Sequence, residues 1–562
     1  MSGIPQTRKL WITPLSPVHM GTDEDYTPTS YVIEGDALYE FDQRALENLP
    51  DGERKRLNGL LDGKARPEML KAVQAFFHRN RERLIPAAVN VVKVSAEMAK
   101  LYETRVGKAA NIEADGRQVL NALEIERACY NPTDRRLMLP GSGLKGAMRT
   151  ALLDVIKADR SLQDLEFFDR REKRKRAPKN NREMQESIFG GTFSNDPMRL
   201  VQVGDCAWHG PESLNSAEVL FAVNRKKHPV VDENGNLRAS QAENLYQLLE
   251  CAAPFRLRAF RGTLNISDFG DTRNISNRLP KYRFGFGEIA KACNRFYRPI
   301  FDRELALLRK RGFLDSAWRE TAEMLLGDVS IRRRLENNDA FLLRVGRHSG
   351  AESVTLNGVR SIRIMRGRGQ PAAWEGAAKT LWLATGSKGD RRNLRPFGWL
   401  LVEMTGIDDE PAPWPQAEAL MGTYNEAMTQ WLANVRERQS ILAAKAQAIR
   451  EERAARVAQE ARAAEEKIRR EKEEQERLAR LSPLEREMEE IIAANRNNNP
   501  GAALFNRLTA GEWSESDQRI VARKIKTLWT LEGKWIPDFS GTNKQKVKQR
   551  ERCRKVLEYL PT

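Results

Sequence analysis

No two of the five cysteines (Cys129, Cys206, Cys251, Cys293, Cys553) form a C-x-x-C pair. That excludes the common zinc and redox spacings and favours buried, reduced thiols. Histidine is as scarce: His19, His78, His209, His228 and His348 show no H-x-x-x-H spacing. No metal and no cofactor is therefore expected. The start, "MSGIPQTRKLWITPLSP", lacks the apolar core of a secretory signal, and no run is apolar enough to span a bilayer. A cytoplasmic protein without membrane contact is the expectation. Acidic side chains are outnumbered, 77 against 94 Lys and Arg, which leaves a net charge of +17. Such a balance calls for an anionic partner, with nucleic acid ahead of membrane.

Glycine and proline are absent from Tyr424 to Ser482, where Ala, Glu, Arg and Lys dominate. Such a segment favours helix, and some 60 residues at 1.5 Å rise would span roughly 90 Å. Its apolar positions are too few for an a/d seam, so a single solvated helix is expected over a coiled coil. Beyond the linker-like "NRNNNPGAA" (495–503), Trp513, Trp529 and Trp535 stand among basic helical patterns. They either form a small core or stack on bases. Arg519, Arg523, Lys524, Lys526 and "KQKVKQRERCRK" (544–555) suit contact with RNA or a docked partner; ordinary surface cations on a self-contained domain are the other reading.

The 562 residues exceed one ordinary core, so two or three domains are expected. Before about residue 410 the pattern is mixed. "RKLWIT" (8–13) alternates like a strand ended by Pro14, and "SYVIEGDALYEFD" (30–42) reads as a hairpin around Gly35-Asp36. Residues 67–104, 144–158 and 287–310 read as helices. Strands are expected at 135–139, 199–204, 217–223, 255–266, 340–346, 359–365, 380–384 and 398–404. The irregular alternation argues for α+β over a doubly wound sheet. "DDEPAPWPQ" (408–416) marks the end of this core, which is expected to fold without the rest of the chain.

"LMLPGSGLKGAMRT" (137–150) contains G-x-G-x-x-G. A Walker A loop needs Lys-Ser or Lys-Thr after its last glycine, and here Ala147-Met148 stand instead. A Rossmann fingerprint needs a second parallel strand with an acidic end, but the next segment is "DLEFFDRREKRKRAPKNNRE". What remains is an anion site at a helix N-terminus: Gly141, Ser142, Gly143 and Gly146 allow close approach, and Lys145 and Arg149 share a face. A glycine turn packed between elements, with solvated cations, is the alternative.

Strand, "LPGSGLKGAMRTALL", helix resembles the glycine-rich signature of the RAMP superfamily of CRISPR-associated RNA-binding proteins. "WITPLSPVHMGTDEDYTPTSYVIEGDALYEFD" (11–42), "IFGGTFSNDPMRLVQVGDC" (188–206), "GEIAKACNRFYRPIFDREL" (287–305), "FLLRVGRHSGAESVTLNGV" (341–359) and "RPFGWLLVE" (395–403) are similar, in order, to the Csm subunit of type III-A complexes that caps the far end of the guide RNA. The resemblance spans about 9–405. It implies two ferredoxin-like, RRM-type domains, here 1–215 and 216–415, ahead of a long charged helix (416–482) and a small basic helical domain (483–562). It also implies contact with the 3′ part of the crRNA and a neighbouring RAMP backbone subunit, support of crRNA 3′-end maturation through host trimming nucleases, and no cleavage of its own. About the segment after 415 it says nothing.

Other candidate RNA contacts are Arg344, Arg347 and His348 in "FLLRVGRHSG", and Lys388, Arg391 and Arg392 with Arg395 in "TGSKGDRRNLRPFGW" (385–399). The run 170–182 is either an RNA-binding arm or a solvated loop. His19 in "SPVHMG" is expected to be structural or to touch RNA. As a general base, with acids such as Asp23, Asp25 or Asp134 nearby, it would instead mark a RAMP endoribonuclease cutting crRNA precursor or target RNA.

Overall fold

The computed structural model describes residues 6–62, 67–108, 123–169, 171, 173–209, 217–229, 245–267, 279–365 and 369–561. Two β-sheets organise the first compact unit, Met1–Arg450. The first runs Ala340–Arg344, Trp399–Thr405, Gln6–Pro14, Phe260–Ile266, Cys206–Trp208, Met138–Leu139, with Val201–Val203 also on Phe260–Ile266; every pairing in it is antiparallel. The second runs Gly21–Tyr26, Ile125–Ala128, Tyr246–Ala252, Ala217–Lys226, Ala88–Val94, Ala37–Phe41, Tyr31–Glu34, with Thr380–Thr385 also on Ala217–Lys226. It is mixed: Ala217–Lys226 lies parallel to Ala88–Val94, and Tyr246–Ala252 parallel to Ile125–Ala128. The α+β expectation holds.

Both sheets draw strands from either side of residue 215, so a division there does not follow the sheets; 210–216 themselves lie outside the described residues. Leu10, Ile12, Leu342 and Leu401 from the first sheet share one buried cluster with Val92, Val219 and Leu248 from the second. Helices Gly141–Lys157 and Phe286–Lys310 contribute to it, the latter through Ile289, Cys293, Phe296, Tyr297 and Ile300 at helical spacing.

The hairpin forms as expected, with Gly35 at φ 61° in its turn. Residues 67–104 are not all helix. Helices Pro67–Arg79, Arg81–Leu84 and Ala96–Arg105 are interrupted by the strand Ala88–Val94, whose "AVNVVKV" is rich in β-branched valine. The basic run holds a short hairpin, Phe167–Asp169 with Arg174–Arg176, then the helix Asn181–Phe189; residues 170 and 172 are outside the described residues. Arg176 there pairs with Asp169 and Glu183, so that cation is used internally.

The helix Pro415–Arg480 forms close to its expected bounds, but its first half is not merely solvated. Met428, Trp431, Leu432, Val435 and Leu442 are buried against Val32, Tyr39, Phe41, Phe76 and Leu84. The first unit therefore extends to Arg450.

The second unit, Glu451–Thr562, adds helices Pro483–Ala494, Pro500–Ala510, Glu515–Leu531 and Lys544–Leu557. Met488, Ile491, Leu504, Phe505, Leu508, Trp513, Val521, Ile525, Trp529, Cys553 and Val556 form a closed core drawn entirely from these four helices and their connections. A Ser482 capping box with Pro483 at the first helical position starts the bundle. All five cysteines are buried and unpaired.

Candidate nucleic-acid interface

The glycine stretch is not a loop before a helix. Gly141 is the first helical residue, with Pro140 at the cap, so the stretch forms the first two turns. Its glycines have different reasons. A methyl group on Gly141 would lie 2.3 Å from the Val203 carbonyl oxygen, backbone that cannot turn aside, so packing fixes that glycine; one on Gly143 would meet only Met20 Cε, the far end of a flexible side chain. On Gly146 it would meet nothing within 4 Å.

The anion expected at this helix end is a side chain of the protein itself: Gly141 N–H donates to Asp205 Oδ1 at 2.7 Å. Arg149 is likewise committed. It holds Asp196 through two nitrogens, donates to Gln185 Oε1 at 2.8 Å and lies over the Phe189 ring. In the folded chain it braces the helix against these segments. Ser142, Lys145 and Gly146 remain on the outer face of the first two turns. Burial chiefly lowers the Lys145 pKa; Asp196 opposes the shift and Arg149 adds to it.

Segments far apart in sequence meet at this helix. Residues 15–20 cross from the first sheet to the second, where Val18 bridges to Ala252. The His19 carbonyl accepts from Arg347 N at 2.9 Å, and a methyl on Gly346 would stand 2.1 Å from that oxygen. Met20 thus lies between Gly143 and Gly346, joining "SPVHMG", "GSGLKG" and "VGRHSG" in one place. Nothing in the spacing of these motifs announces that convergence.

His19 is 2% exposed and does not face outward as an RNA contact would. Its Nδ1 lies 2.6 Å from the Glu250 carbonyl, which can only accept, so the proton is on Nδ1. Nε2 is 3.7 Å from Glu126 Oε2 in a cavity of about 520 Å³ lined by Asp23, Glu24, Asp25, Glu126, Arg127 and Arg347. Burial lowers the His19 pKa, and the ring is neutral near pH 7. Four carboxylates against two guanidinium groups leave this cavity net negative, which disfavours a phosphodiester there. Asp134 lies elsewhere, accepting from Arg136 N in its own turn.

Arg344 and His348 also serve the fold. Arg344 is buried, donating to Glu304 Oε1 and the Phe397 carbonyl and lying over Trp399. His348 sits at φ 60°, stacks on Trp382 at 4.6 Å and meets Gln247 Oε1 at 2.7 Å. Burial first, then Arg347 and His19, push its pKa down to about 3. Arg347 is about half exposed and pairs with Glu126 at 3.0 Å. Lys388, Arg391 and Arg392 are exposed on the loop after Thr380–Thr385, with Lys388 Nζ 5.4 Å from the Tyr246 ring centre. Arg395 leans on Glu218.

Beneath the His19 segment lies Glu250, fully buried, which no motif of the sequence marks. Tyr26 and Tyr130 hydroxyls and Ala128 N–H donate to its carboxylate. Burial outweighs these bonds and lifts its pKa to about 7. The folded chain thus keeps a proton that the unfolded chain loses near pH 4.5. Stability from this group is complete below that pH and falls by roughly 3 kcal/mol as pH rises to about 7. Glu250→Gln removes this slope. Urea midpoints at pH 5 and pH 8 should show the wild type losing ground to the variant at the higher pH; parallel behaviour would show that Glu250 stays ionised.

Among the described residues no group of three or more His, Cys, Asp or Glu is placed to hold a metal ion, and no helix is long and apolar enough to cross a membrane. No curated protein matches the chain. Among solved structures, a chain in a cryo-EM Csm–crRNA–target RNA ternary complex of a type III-A CRISPR–Cas system is 16% identical, with a TM-score of 0.40 over 71% of this chain and 100% of that one. The crystal structure of T. onnurineus Csm5 is 16% identical, with a TM-score of 0.36 over 70% of this chain and 99% of that one. The sequence model of the RAMP superfamily matches residues 11–314, more than half of the chain and including the His19 segment and the whole glycine helix. The chain belongs to the RAMP superfamily.

Proposed function

We propose that this protein is a non-catalytic crRNA-binding subunit of a type III-A effector complex, built on two ferredoxin-like units. In this reading it caps the backbone on the crRNA 3′ side and supports 3′-end maturation, with a RAMP backbone subunit as neighbour and host nucleases as trimming partners. One observation carries the proposal: Gly146 is exposed, has no packing reason to be glycine, and stands beside Ser142 and Lys145 on the first two turns of the RAMP helix. A bare helix surface beside the Lys145 ammonium lets a phosphate backbone approach closely. The exposed loop with Lys388, Arg391 and Arg392 supplies further cations. The acid-lined surroundings of His19 support a role without cleavage.

The test separates binding from folding. Lys145→Ala should leave stability nearly unchanged while weakening guide RNA by a similar factor for all sequences and flattening the salt slope. Gly146→Ala should raise stability by about 0.5–1 kcal/mol, as helix propensity dictates, yet weaken RNA binding. Arg149→Ala should cost about 1–2 kcal/mol by removing the partner of Asp196. Thermal unfolding and filter binding read both quantities. Unchanged RNA affinity in folded Lys145→Ala and Gly146→Ala would overturn the site. Steady cleavage of repeat RNA, lost in His19→Ala, would replace the proposal with an endoribonuclease.

A further inference from the structure

The second unit carries a feature that the RAMP segment does not explain. From Glu515 to the end, twelve Lys and Arg stand against six Asp and Glu. Trp529 is fully buried, and Trp513 is buried with its Nε1 donating to Glu487 at 2.9 Å, so neither is offered to a base. Trp535 differs. It packs on Trp529 at 6.4 Å between ring centres, yet stays half-buried in the connection between Glu515–Leu531 and Lys544–Leu557. Phe539, four residues on, is also half-buried.

This connection is tied down. Ile536 N–H donates to Cys553 Sγ, Arg554 Nε to the Pro537 carbonyl at 3.1 Å, and Arg550 to the Phe539 carbonyl at 3.2 Å. The backbone that carries the two rings is therefore held in place before any ligand arrives. Each has a lysine over it, which must swing off the ring to admit a base: Lys526 Nζ is 5.6 Å from the Trp535 ring centre and Lys546 Nζ 5.6 Å from that of Phe539. The acids next to them in sequence are Asp538 and Glu532, the latter paired with Lys534. Arg519, Arg523 and Lys526 stand at i, i+4 and i+7 on one flank of their helix, each exposed.

We propose that residues 534–539, with Lys526 and Lys546, form a platform for single-stranded nucleic acid. Unpaired bases stack on Trp535 and Phe539, and the lysines turn to the phosphates between them. Paired rings and cations at this spacing suit a single strand better than a duplex, whose bases are already stacked. None of these residues lies in 11–314, so this platform and the glycine-helix site stand or fall separately.

The closed core allows the fragment 482–562, which keeps the Ser482 cap, to be used alone, with each substitution repeated in the full chain. Fluorescence anisotropy with labelled oligouridine RNA, the matching DNA strand and an RNA duplex should show both single strands bound at about 50 mM salt and the duplex at least fivefold more weakly. Preference between the two strands identifies the source of the ligand. Lys526→Ala with Lys546→Ala should lower affinity about tenfold and reduce the salt slope by about 1.4. Trp535→Leu should cost fivefold or more with helicity retained; if it unfolds, Phe539→Leu repeats the test on a ring outside the buried core. Equal binding of duplex and single strand, no binding at low salt, or full affinity in a folded ring variant would each overturn the proposal.

Discussion

A chain ending at residue 415 should fail to fold, whereas one ending at Arg450 should be soluble and cooperative. The shorter chain loses Met428, Trp431, Leu432, Val435 and Leu442, each buried on the hairpin and the helices beside it. At about 1.5–3 kcal/mol per buried side chain, these five contribute roughly 7–15 kcal/mol, comparable to the whole stability of an ordinary domain. It also loses the Arg438 guanidinium, which donates to the Glu34 carbonyl at 3.1 Å and to the Tyr39 hydroxyl at 3.3 Å. Trp431→Ala in the full chain should alone cost about 3–5 kcal/mol. Expression in the soluble fraction and urea unfolding of both truncations decide the matter. A well-folded 1–415 would show that the helix only leans on a finished core.

The signs of this packing were present in the sequence but diluted. Met428, Trp431, Leu432 and Val435 stand at i, i+3, i+4 and i+7, an amphipathic stripe. Averaged with the charged residues from 451 to 480, which are nearly all exposed, the stripe disappears into a polar composition. The hairpin carried the complementary sign. "YVIE" and "ALYEF" are apolar at successive positions, as in strands buried on both faces. Tyr31, Ile33 and Leu38 enter the main core, while Val32, Tyr39 and Phe41 meet the long helix. The strand Ala88–Val94 was obscured by its helical neighbours. The sheet order was not legible at all, because it joins Gln6–Pro14 to Trp399–Thr405 across nearly the whole first unit.

At the candidate interface, residue type was more legible than role. Glycines, cations and imidazoles were found, but which cations are spent inside the protein depends on partners distant in sequence. Arg149 finds Asp196, and Arg344 finds Glu304. One glycine of the motif, Gly141, is held against backbone, Gly143 meets only the Met20 side-chain end, and Gly146 meets nothing, a distinction that only the neighbours Val203 and Met20 reveal.

Gly346→Ala should be among the most damaging single substitutions in the first unit, through two additive causes. At φ 79° a Cβ is strained, which costs about 1–2 kcal/mol by itself. The new methyl would also stand 2.1 Å from the His19 carbonyl oxygen, backbone that cannot turn aside. The two segments must part, and the Arg347 N–H bond to that carbonyl parts with them. Gly312→Ala is the control: its φ is 64°, but its methyl would meet nothing within 4 Å. It should lose only the conformational share, about 1–2 kcal/mol, whereas Gly346→Ala should lose more than about 3 kcal/mol. Because Met20 touches both Gly346 and Gly143, the displacement also reaches the helix that carries Lys145 and Gly146. Guide RNA affinity should therefore fall in Gly346→Ala and hold in Gly312→Ala. Chemical unfolding of the two variants side by side measures the first difference and filter binding the second; equal losses in both would mean that the His19 and Gly346 segments are not locked together.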